Sequence, residues 1–195
     1  MSRFSSVERA TAETDVHLEI RIDGTGVADV SSGIPFFDHM LTLFAVHGFF
    51  DLTLRAEGDV AVDPHHTVED VGLVLGEAVD RALGDRKGIR RYGHAEVPMD
   101  ETLTRVTLDL SRRPLLIYNV PDIRGGGGPM DAILAKEFFR AAANRAGMTL
   151  HVNTLYGENL HHIVESIFKA FGRALDEAAG MDARVSGVRS SKGVL

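Results

Sequence analysis

Hydrophobic and polar positions in the first half of the chain follow two different periods. Residues 15–22 alternate apolar and polar side chains, which predicts a half-buried strand followed by a turn at Asp23-Gly24. Residues 34–47 place apolar side chains at helical spacing, and Gly48 ends this predicted helix. The pattern then predicts a strand, a turn, a short partner strand and an amphipathic helix, over residues 49–56, 57–59, 60–62 and about 64–84.

The second half of the chain repeats this order of elements. The pattern predicts a strand, a turn, a strand, a helix, a strand, a turn and a helix, over residues 103–110, 111–114, 115–120, 131–146, 148–155, 156–159 and 163–179. Because strand, helix, strand, turn and helix follow one another twice, we predict an internal duplication. Residues 125–129, four glycines and a proline, lack the Lys-Ser/Thr of a phosphate loop and predict a flexible connector.

The composition is that of an ordinary globular protein. The chain has 195 residues, of which 44% are hydrophobic and 25% charged, enough to bury a sizeable core. Its net charge of -7 argues against a general polyanion binder, although local arginines and lysines can still bind a small anion. No run approaches the ~20 apolar residues of a membrane span, and residues 1–14 lack the apolar core of a secretory signal. We therefore expect a cytoplasmic protein.

One short motif occurs twice and carries candidate metal chemistry. A His-His-x-x-Glu cassette occupies residues 65–69, and a second copy occupies residues 161–165, 96 residues later. Imidazole and carboxylate groups together bind divalent transition metals, and the chain has no cysteine to offer instead. Helix capping or a buried hydrogen-bond network would also explain such residues, but a duplicated cassette favours metal binding.

The helical position of each cassette limits which side chains can share an ion. Residues three or four apart lie on one helix face, so either His65 or His66 can act together with Glu69. Adjacent residues point about 100° apart, so His65 and His66 are expected to serve different ions. The same geometry applies to the second cassette.

The duplication extends the ligand set beyond the cassettes. His39 lies 26 residues before His65 at the start of the first predicted helix, and its counterpart by element order is Glu137, 24 residues before His161. Both side chains bind manganese, iron or zinc. About four protein ligands are thus predicted for each of two ions, from His39, His65, His66, Glu69, Glu137, His161, His162 and Glu165.

Five stretches of the sequence, taken together, point to one protein family. They are Gly-Ile-Pro-Phe-Phe-Asp-His-Met-Leu at 33–41, the two cassettes, Pro-Met-Asp-Glu at 98–101 and Ser-Ser-Lys-Gly at 190–193. With these stretches in their order along the sequence, the chain resembles imidazoleglycerol-phosphate dehydratase of histidine biosynthesis over nearly its whole length. The resemblance implies an α+β fold of two similar halves, each a mostly antiparallel sheet with two helices, similar to domain 2 of ribosomal protein S5. One dehydratase unit, 1–195, would then comprise halves at about 1–93 and 94–184 and a tail at 185–195.

The resemblance also implies an activity and an assembly. The family converts D-erythro-imidazoleglycerol phosphate to imidazole acetol phosphate with two manganese ions, in particles of 24 subunits whose active sites lie at subunit interfaces. Carried over by position, one ion would be held by His65, Glu137, His161 and Glu165, and the other by His39, His66, Glu69 and His162. Glu13 matches a catalytic carboxylate. The substrate and its phosphate would be bound by His47, Arg91, Arg113, Ser190, Ser191 and Lys192.

The reaction that this resemblance implies is chemically difficult, because the hydrogen to be removed lies on a carbon with no adjacent carbonyl. An imidazole bound by two metal ions can lose its N–H proton and become imidazolate, since a bound cation lowers the pKa of its ligand. The electron-rich ring could then expel the neighbouring hydroxyl group. Glu13 is the first candidate for the general acid/base, and Glu165 is the alternative.

Three other functions are compatible with parts of this pattern. Paired metal ions also activate water, which would make the protein a two-metal phosphohydrolase. An S5-like fold would suggest a nucleic-acid-binding module, against which the net charge counts. A metal-dependent structural assembly without catalysis is the third, and the candidate phosphate-binding residues argue against it.

Overall fold

The computed structural model describes residues 3–121 and 132–195, and each half of the chain contributes four strands and two helices. The first half contains β1 (Phe4–Ala10), β2 (Thr14–Arg21), β3 (Ala28–Ser31), α1 (Pro35–Gly48), β4 (Asp51–Gly58) and α2 (Pro64–Leu83). The second half contains β5 (Tyr92–Met99), β6 (Thr102–Asp109), β7 (Leu115–Asn119), α3 (Ala132–Ala146), β8 (Thr149–Tyr156) and α4 (Leu160–Ala179).

The two sheets have the same topology. Their strand orders are β1-β2-β4-β3 and β5-β6-β8-β7. In each sheet the first three strands pair antiparallel, and the fourth pairs parallel with its neighbour. The predicted duplication and the mostly antiparallel α+β halves are therefore confirmed, and the arrangement is consistent with the S5-like fold.

Each sheet buries one face against helices. In β2, for example, Val16, Leu18 and Ile20 are fully buried while His17 between them is partly exposed, as strand alternation requires. Helix α2 covers the first sheet and α4 the second. The helices also pair across the halves, α1 with α4 and α2 with α3. No helix among the described residues is both long and apolar enough to cross a membrane.

Aromatic side chains from three helices meet in the centre of the core. Phe37 of α1 lies edge-on to Phe138 of α3, with ring centroids 5.4 Å apart. Phe138 stacks on Phe168 of α4 at 5.2 Å, and Phe44 stacks on Phe171 at the same distance. Such aromatic pairs contribute about 0.5–1.5 kcal/mol each beyond the area they bury. They join the two halves into one core.

Glycines bring the paired helices close together at equivalent positions. A Cβ added to Gly172 in α4 would overlap the carbonyl oxygen of Phe44 in α1. A Cβ added to Gly76 in α2 would overlap the carbonyl oxygen of Ala142 in α3 in the same way. Ala142 follows Phe44 by 98 residues, the separation that also relates Glu137 to His39. The packing of the helices thus supports the equivalence of His39 and Glu137.

Two of the sequence expectations differ from the structure or lie outside it. Residues 60–62, predicted as a partner strand for β4, form a turn in which the backbone N–H of Val62 donates to the carbonyl of Asp59 at 2.7 Å. That prediction was wrong because the fourth place in the sheet belongs to β3, which pairs parallel with β4. The glycine-rich connector at 125–129 lies outside the described residues.

Candidate active site

The second cassette begins helix α4 behind an asparagine cap. The side chain of Asn159 accepts hydrogen bonds from the backbone N–H groups of His161 at 2.9 Å and His162 at 3.5 Å. This is the usual way of satisfying the free N–H groups of a first helical turn. One turn later, Glu165 Oε2 lies 3.0 Å from His161 Nε2. The i,i+4 pair expected from the helical spacing is therefore present.

Helix α1 adds a third ligand to this pair. His39 Nε2 lies 3.7 Å from Glu165 Oε2, so that His39, His161 and Glu165 each offer one atom within 4.8 Å of the others. In residues 3–121 and 132–195 this is the one group of three or more such side chains that close together. Two imidazole nitrogens and a carboxylate oxygen suit a divalent transition metal, with room for further ligands. The residues present therefore fit the predicted metal.

Glu165 is built to remain an anion in this group. Its side chain is 8% exposed, and Oε1 lies 2.6 Å from the ammonium of Lys169, which leaves Oε2 for the histidines. Burial by itself would raise the pKa of Glu165. The hydrogen bond and charge of Lys169, together with the hydrogen bond to His161, outweigh burial and hold that pKa below its ordinary value.

The first cassette begins α2 in an equivalent way, with Asp63 as the cap and Pro64 in the first turn. Asp63 accepts from the backbone N–H of His65 at 2.8 Å, and His65 Nε2 lies 3.2 Å from Glu69 Oε2. Glu137, the counterpart of His39, pairs on its own helix with Arg140. In the single chain, therefore, His65 contacts Glu69, whereas the carboxylate of Glu137 forms an ion pair with Arg140.

The second histidine of each cassette turns away from the first. His66 Nδ1 lies 3.1 Å from both carboxylate oxygens of Asp59, and His162 Nδ1 lies 2.6 Å from Glu101 Oε2. These hydrogen bonds are the main cause that raises the pKa of both imidazoles above the usual value. The hydrogen bond from His162 likewise holds the pKa of Glu101 far below its usual range. Adjacent histidines thus have separate partners, as helix geometry predicts.

The grouping within one chain differs from the grouping carried over by position. The family resemblance implies that His39 shares an ion with His66, Glu69 and His162. In the structure His39 approaches His161 and Glu165 instead, because α1 packs beside α4.

Glu13 lies in the loop between β1 and β2, near the first cassette. Its carboxylate is 59% exposed, and Oε2 is 3.8 Å from His66 Nδ1. Its backbone N–H donates to the hydroxyl of Thr11 at 3.1 Å, which fixes the loop. In the second half, Glu101 occupies the equivalent turn between β5 and β6 beside His162. Glu13 is therefore a carboxylate held close to a candidate ligand without a tight bond to it.

The two arginines predicted to bind phosphate meet at one aspartate. Arg91 is buried and donates to both carboxylate oxygens of Asp109, at 2.7 and 3.0 Å. Arg113 approaches the same aspartate at 3.4 Å, and 69% of its side chain is exposed. Arg91 also donates to the carbonyl of Arg189 at 2.7 Å, next to the predicted phosphate-binding tail residues.

The tail folds into turns beside these arginines. The hydroxyl of Ser190 accepts the backbone N–H of Lys192 at 3.2 Å, and the carbonyl of Ser190 accepts that of Gly193 at 3.1 Å. Ser191 and Lys192 are exposed. The structure therefore gathers Arg91, Arg113 and residues 190–192 in one neighbourhood.

His47, predicted to border the substrate, lies at the end of α1. It lines a cleft of about 800 Å³ together with Arg90 and Arg173. Burial, and then the charges of Lys169 and Arg173, lower the pKa of His47 below its ordinary value. The ring is thus favoured in its neutral form.

The residues predicted to bind phosphate and the candidate metal-binding group lie at opposite ends of strand β5. Arg91 immediately precedes this strand, and Glu101, which contacts His162, follows it. Eight strand residues span roughly 25 Å at about 3.3 Å per residue. A small substrate cannot bridge this distance within one chain.

Four partners of the candidate residues were missed in the sequence, and three of them lie on a different element from the residue they contact. Asp59 and Glu101 hold the second histidines, Lys169 holds Glu165, and Asp109 holds Arg91. For Lys169 a signal existed, since it follows Glu165 by four residues on the same helix face.

Comparison with known proteins identifies the family of this chain. The sequence model of the imidazoleglycerol-phosphate dehydratase family matches residues 32–175. Enzymes of that name from Trichlorobacter lovleyi and Desulfosudis oleivorans are each 58% identical to the chain over 195 residues, with full coverage of both partners.

Solved structures agree as well. The dehydratase from Staphylococcus aureus superposes with a TM-score of 0.82 at 37% identity, covering 92% of this chain and 99% of its own. The Pyrococcus furiosus enzyme, solved with (S)-C348, also gives 0.82, at 36% identity, covering 97% of this chain and all of its own. The chain belongs to the imidazoleglycerol-phosphate dehydratase family, a family of lyases in histidine biosynthesis.

Proposed function

We propose that the protein dehydrates D-erythro-imidazoleglycerol phosphate to imidazole acetol phosphate, using two manganese ions at each active site. The observation that carries the metal part of this proposal is the group formed by His39, His161 and Glu165, whose ligand atoms lie within 4.8 Å of one another. The family membership supports the reaction itself.

The internal duplication suggests which residues would hold each ion. One ion would be held by His39, His161 and Glu165. The other would be held by the equivalent Glu137, His65 and Glu69, once Glu137 exchanges Arg140 for the metal. Two divalent ions held by these residues would supply Lewis acidity, which makes the N–H group of the substrate ring more acidic and favours loss of the neighbouring hydroxyl.

The chain's own residues would then control the proton and the phosphate. Glu13 would remove the C–H proton next to the activated ring, and Glu165 is the alternative base. Lys169 would keep Glu165 anionic, since its ammonium is 2.6 Å from Oε1. Arg113 and the tail residues 190–192 would bind the phosphate and so fix the position of the reacting carbons.

We also propose that active sites are shared between subunits, in particles of 24. Two features support sharing. The phosphate-binding residues lie roughly 25 Å from the Glu101 end of β5, so one chain does not place them beside its own metal group. His66 and His162 lie outside these two ligand groups, with Nδ1 held by Asp59 and Glu101, and their Nε2 atoms would serve as ligands to ions shared with a neighbouring subunit. The cytoplasmic location expected from the sequence stays a prediction.

The test is an assay of product on protein stripped with chelator and reloaded with Mn²⁺. Dehydration yields a ketone that retains its phosphate, whereas a phosphohydrolase would release inorganic phosphate. We expect ketone formation that depends on Mn²⁺ and is lost in His39→Ala. His17→Ala, a partly exposed histidine on the opposite face of β2, is the matched control and should keep activity. Release of phosphate, or full activity without a divalent ion, would contradict the proposal.

A further inference from the structure

The carboxylate of Glu101 is bound through both of its oxygens. Oε2 accepts a hydrogen bond from Nδ1 of His162 at 2.6 Å. Oε1 accepts from the backbone N–H groups of Asn159 at 2.9 Å and Glu158 at 3.2 Å, and from the hydroxyl of Thr102 at 3.0 Å. We propose that Glu101 is a positioning residue for His162, which fixes the orientation and tautomer of its ring so that Nε2 is presented to a divalent ion.

Glu101 contacts the backbone at the start of α4. Asn159, whose N–H Glu101 accepts, is the cap of α4 and in turn receives the N–H groups of His161 and His162. Glu101 therefore joins the turn between β5 and β6 to the first turn of α4. That turn requires the left-handed backbone of Asp100, with a φ of 47°. The contact between Glu101 and His162 therefore depends on a defined backbone turn, unlike an incidental contact between two surface side chains.

Glu101 also determines which ring nitrogen of His162 carries the proton. A carboxylate has no proton to donate, so the hydrogen bond between Glu101 and His162 requires the proton to lie on Nδ1. In a neutral imidazole the remaining lone pair is then on Nε2, which is the atom available to a metal. Nε2 lies 3.6 Å from the carboxylate of Asp100, whose side chain is 74% exposed. Carboxylates that orient ligating histidines in this manner are common around protein-bound metals.

In the first half of the molecule, a carboxylate from a different position in the fold holds the equivalent histidine. Asp59, from the loop after β4, holds Nδ1 of His66 at 3.1 Å through both oxygens. Glu13, at the position equivalent to Glu101, stays 3.8 Å away. Two carboxylates from unrelated places in the fold therefore constrain the same ring nitrogen of two equivalent histidines. This recurrence favours a requirement for the ring orientation over an incidental contact.

The inference rests on the proposed role of His162 as a metal ligand, and the experiment separates the two. Glu101→Gln keeps an oxygen for the backbone N–H groups but turns an amide NH₂ toward Nδ1. Because that group donates, the neutral ring of His162 should carry its proton on Nε2. We expect this exchange of tautomer in the ¹⁵N ring shifts of metal-free protein. We also expect Mn²⁺ affinity, measured by electron paramagnetic resonance, to fall about 10–100-fold.

Glu158→Gln is the matched control. It removes the same charge from the neighbouring loop before α4, and the Glu158 side chain is exposed. It should keep both the tautomer and the affinity. Equal loss of affinity in the two variants would show a charge effect only and overturn the inference, as would an unchanged affinity in Glu101→Gln.

The wild-type protein provides a measurement that does not depend on folding of a variant. If its neutral His162 carries the proton on Nε2, the inference is overturned. If the proton lies on Nδ1 but the wild-type protein binds no Mn²⁺, the proposed metal function fails while the orientation of the ring by Glu101 stands.

Discussion

Gly172 of α4 lies directly against the backbone carbonyl of Phe44 in α1. The missing Cβ allows the two helices to approach at this point, because a methyl group there would overlap the carbonyl oxygen. The same helix pair carries His39 on one side and Glu165 on the other, 3.7 Å apart. The glycine therefore sets the spacing on which the candidate metal-binding group depends.

Gly172→Ala should separate these helices and destabilise the fold. Overpacking of a well-packed core costs about 1–3 kcal/mol, and a backbone carbonyl cannot move aside as a side chain can. Denaturant unfolding of the metal-free protein measures the free energy of unfolding. Gly76→Ala, at the equivalent contact with Ala142, should give a similar loss. Arg173→Ala, on the exposed side of the same helix, is the control, and equal stability of Gly172→Ala and wild type would contradict the prediction.

The elements with a strong hydrophobic period could be predicted from the sequence, and the weak ones could not. Helices α1, α2 and α4 and strand β2 were predicted within a few residues. Strand β1 was missed because its sequence, Phe-Ser-Ser-Val-Glu-Arg-Ala, buries mainly Val7 and Ser5. Strand β5 was missed because it contains Gly93 and Pro98, and Gly93 is required by the close backbone of Ala174 in α4. These strands are determined by tertiary packing.

The candidate site shows a similar division. The cassettes and the equivalence of His39 with Glu137 follow from spacing and duplication, which a sequence contains. The meeting of His39 with Glu165 depends on the packing of α1 against α4 across the halves, and no local pattern specifies that. The oxygens that hold His66 and His162 come from turns, where the sequence signal is weakest.

Substitution of Arg91 should affect both stability and substrate binding, whereas substitution of Arg113 should affect substrate binding alone. Arg91 is buried and bound to Asp109 through two hydrogen bonds, so Arg91→Gln should lower both the melting temperature and substrate affinity. Arg113 is mostly exposed and free to turn toward an anion. Arg113→Gln should therefore raise KM about tenfold or more while the melting temperature stays near that of wild type. Arg184→Gln, exposed on the tail side, is the control; an equal fall in melting temperature for Arg113→Gln would contradict this division.

His161 and His162 should bind different ions although they are neighbours in sequence. Their rings lie at 89° to each other and have separate carboxylate partners. His161→Asn and His162→Asn should each weaken one class of Mn²⁺ site, and the double variant should weaken both. Metal titration followed by electron paramagnetic resonance counts the sites, with His151→Asn as control. A double variant that binds as much Mn²⁺ as either single variant would show that the two share one ion.

Stability and metal affinity should depend on pH in opposite directions. The pKa values of His66 and His162 are raised above 6.5 by Asp59 and Glu101. In metal-free protein, the hydrogen bonds of protonated His66 and His162 to these carboxylates stabilise the fold. Their contribution to stability is fully present below pH 6.5 and is lost as pH rises through the raised pKa. Metal binding requires the neutral ring, so Mn²⁺ affinity should rise over the same interval.

Thermal unfolding from pH 6 to 9, with chelator and with Mn²⁺, measures both effects. The stabilisation by Mn²⁺ should grow with pH, and His162→Gln should flatten the metal-free curve. A stabilisation by Mn²⁺ that is independent of pH would contradict proton competition at these histidines.

Glu13→Gln should separate catalysis from binding. In the duplicated fold, Glu13 and Glu101 occupy equivalent turns, but Glu101 accepts several hydrogen bonds while Glu13 is exposed and 3.8 Å from His66. One of the two equivalent carboxylates thus has no tight hydrogen bond to its histidine, which would suit proton exchange with a bound substrate. Loss of a general acid/base lowers turnover by about 10²–10⁴-fold, while Mn²⁺ and substrate binding should be kept because the amide preserves size and the loop. Glu8→Gln, on the neighbouring strand and 80% exposed, should keep full turnover. Near-normal turnover in Glu13→Gln with substrate still bound would show that another carboxylate performs the proton transfer. Glu165 would then be the first to test.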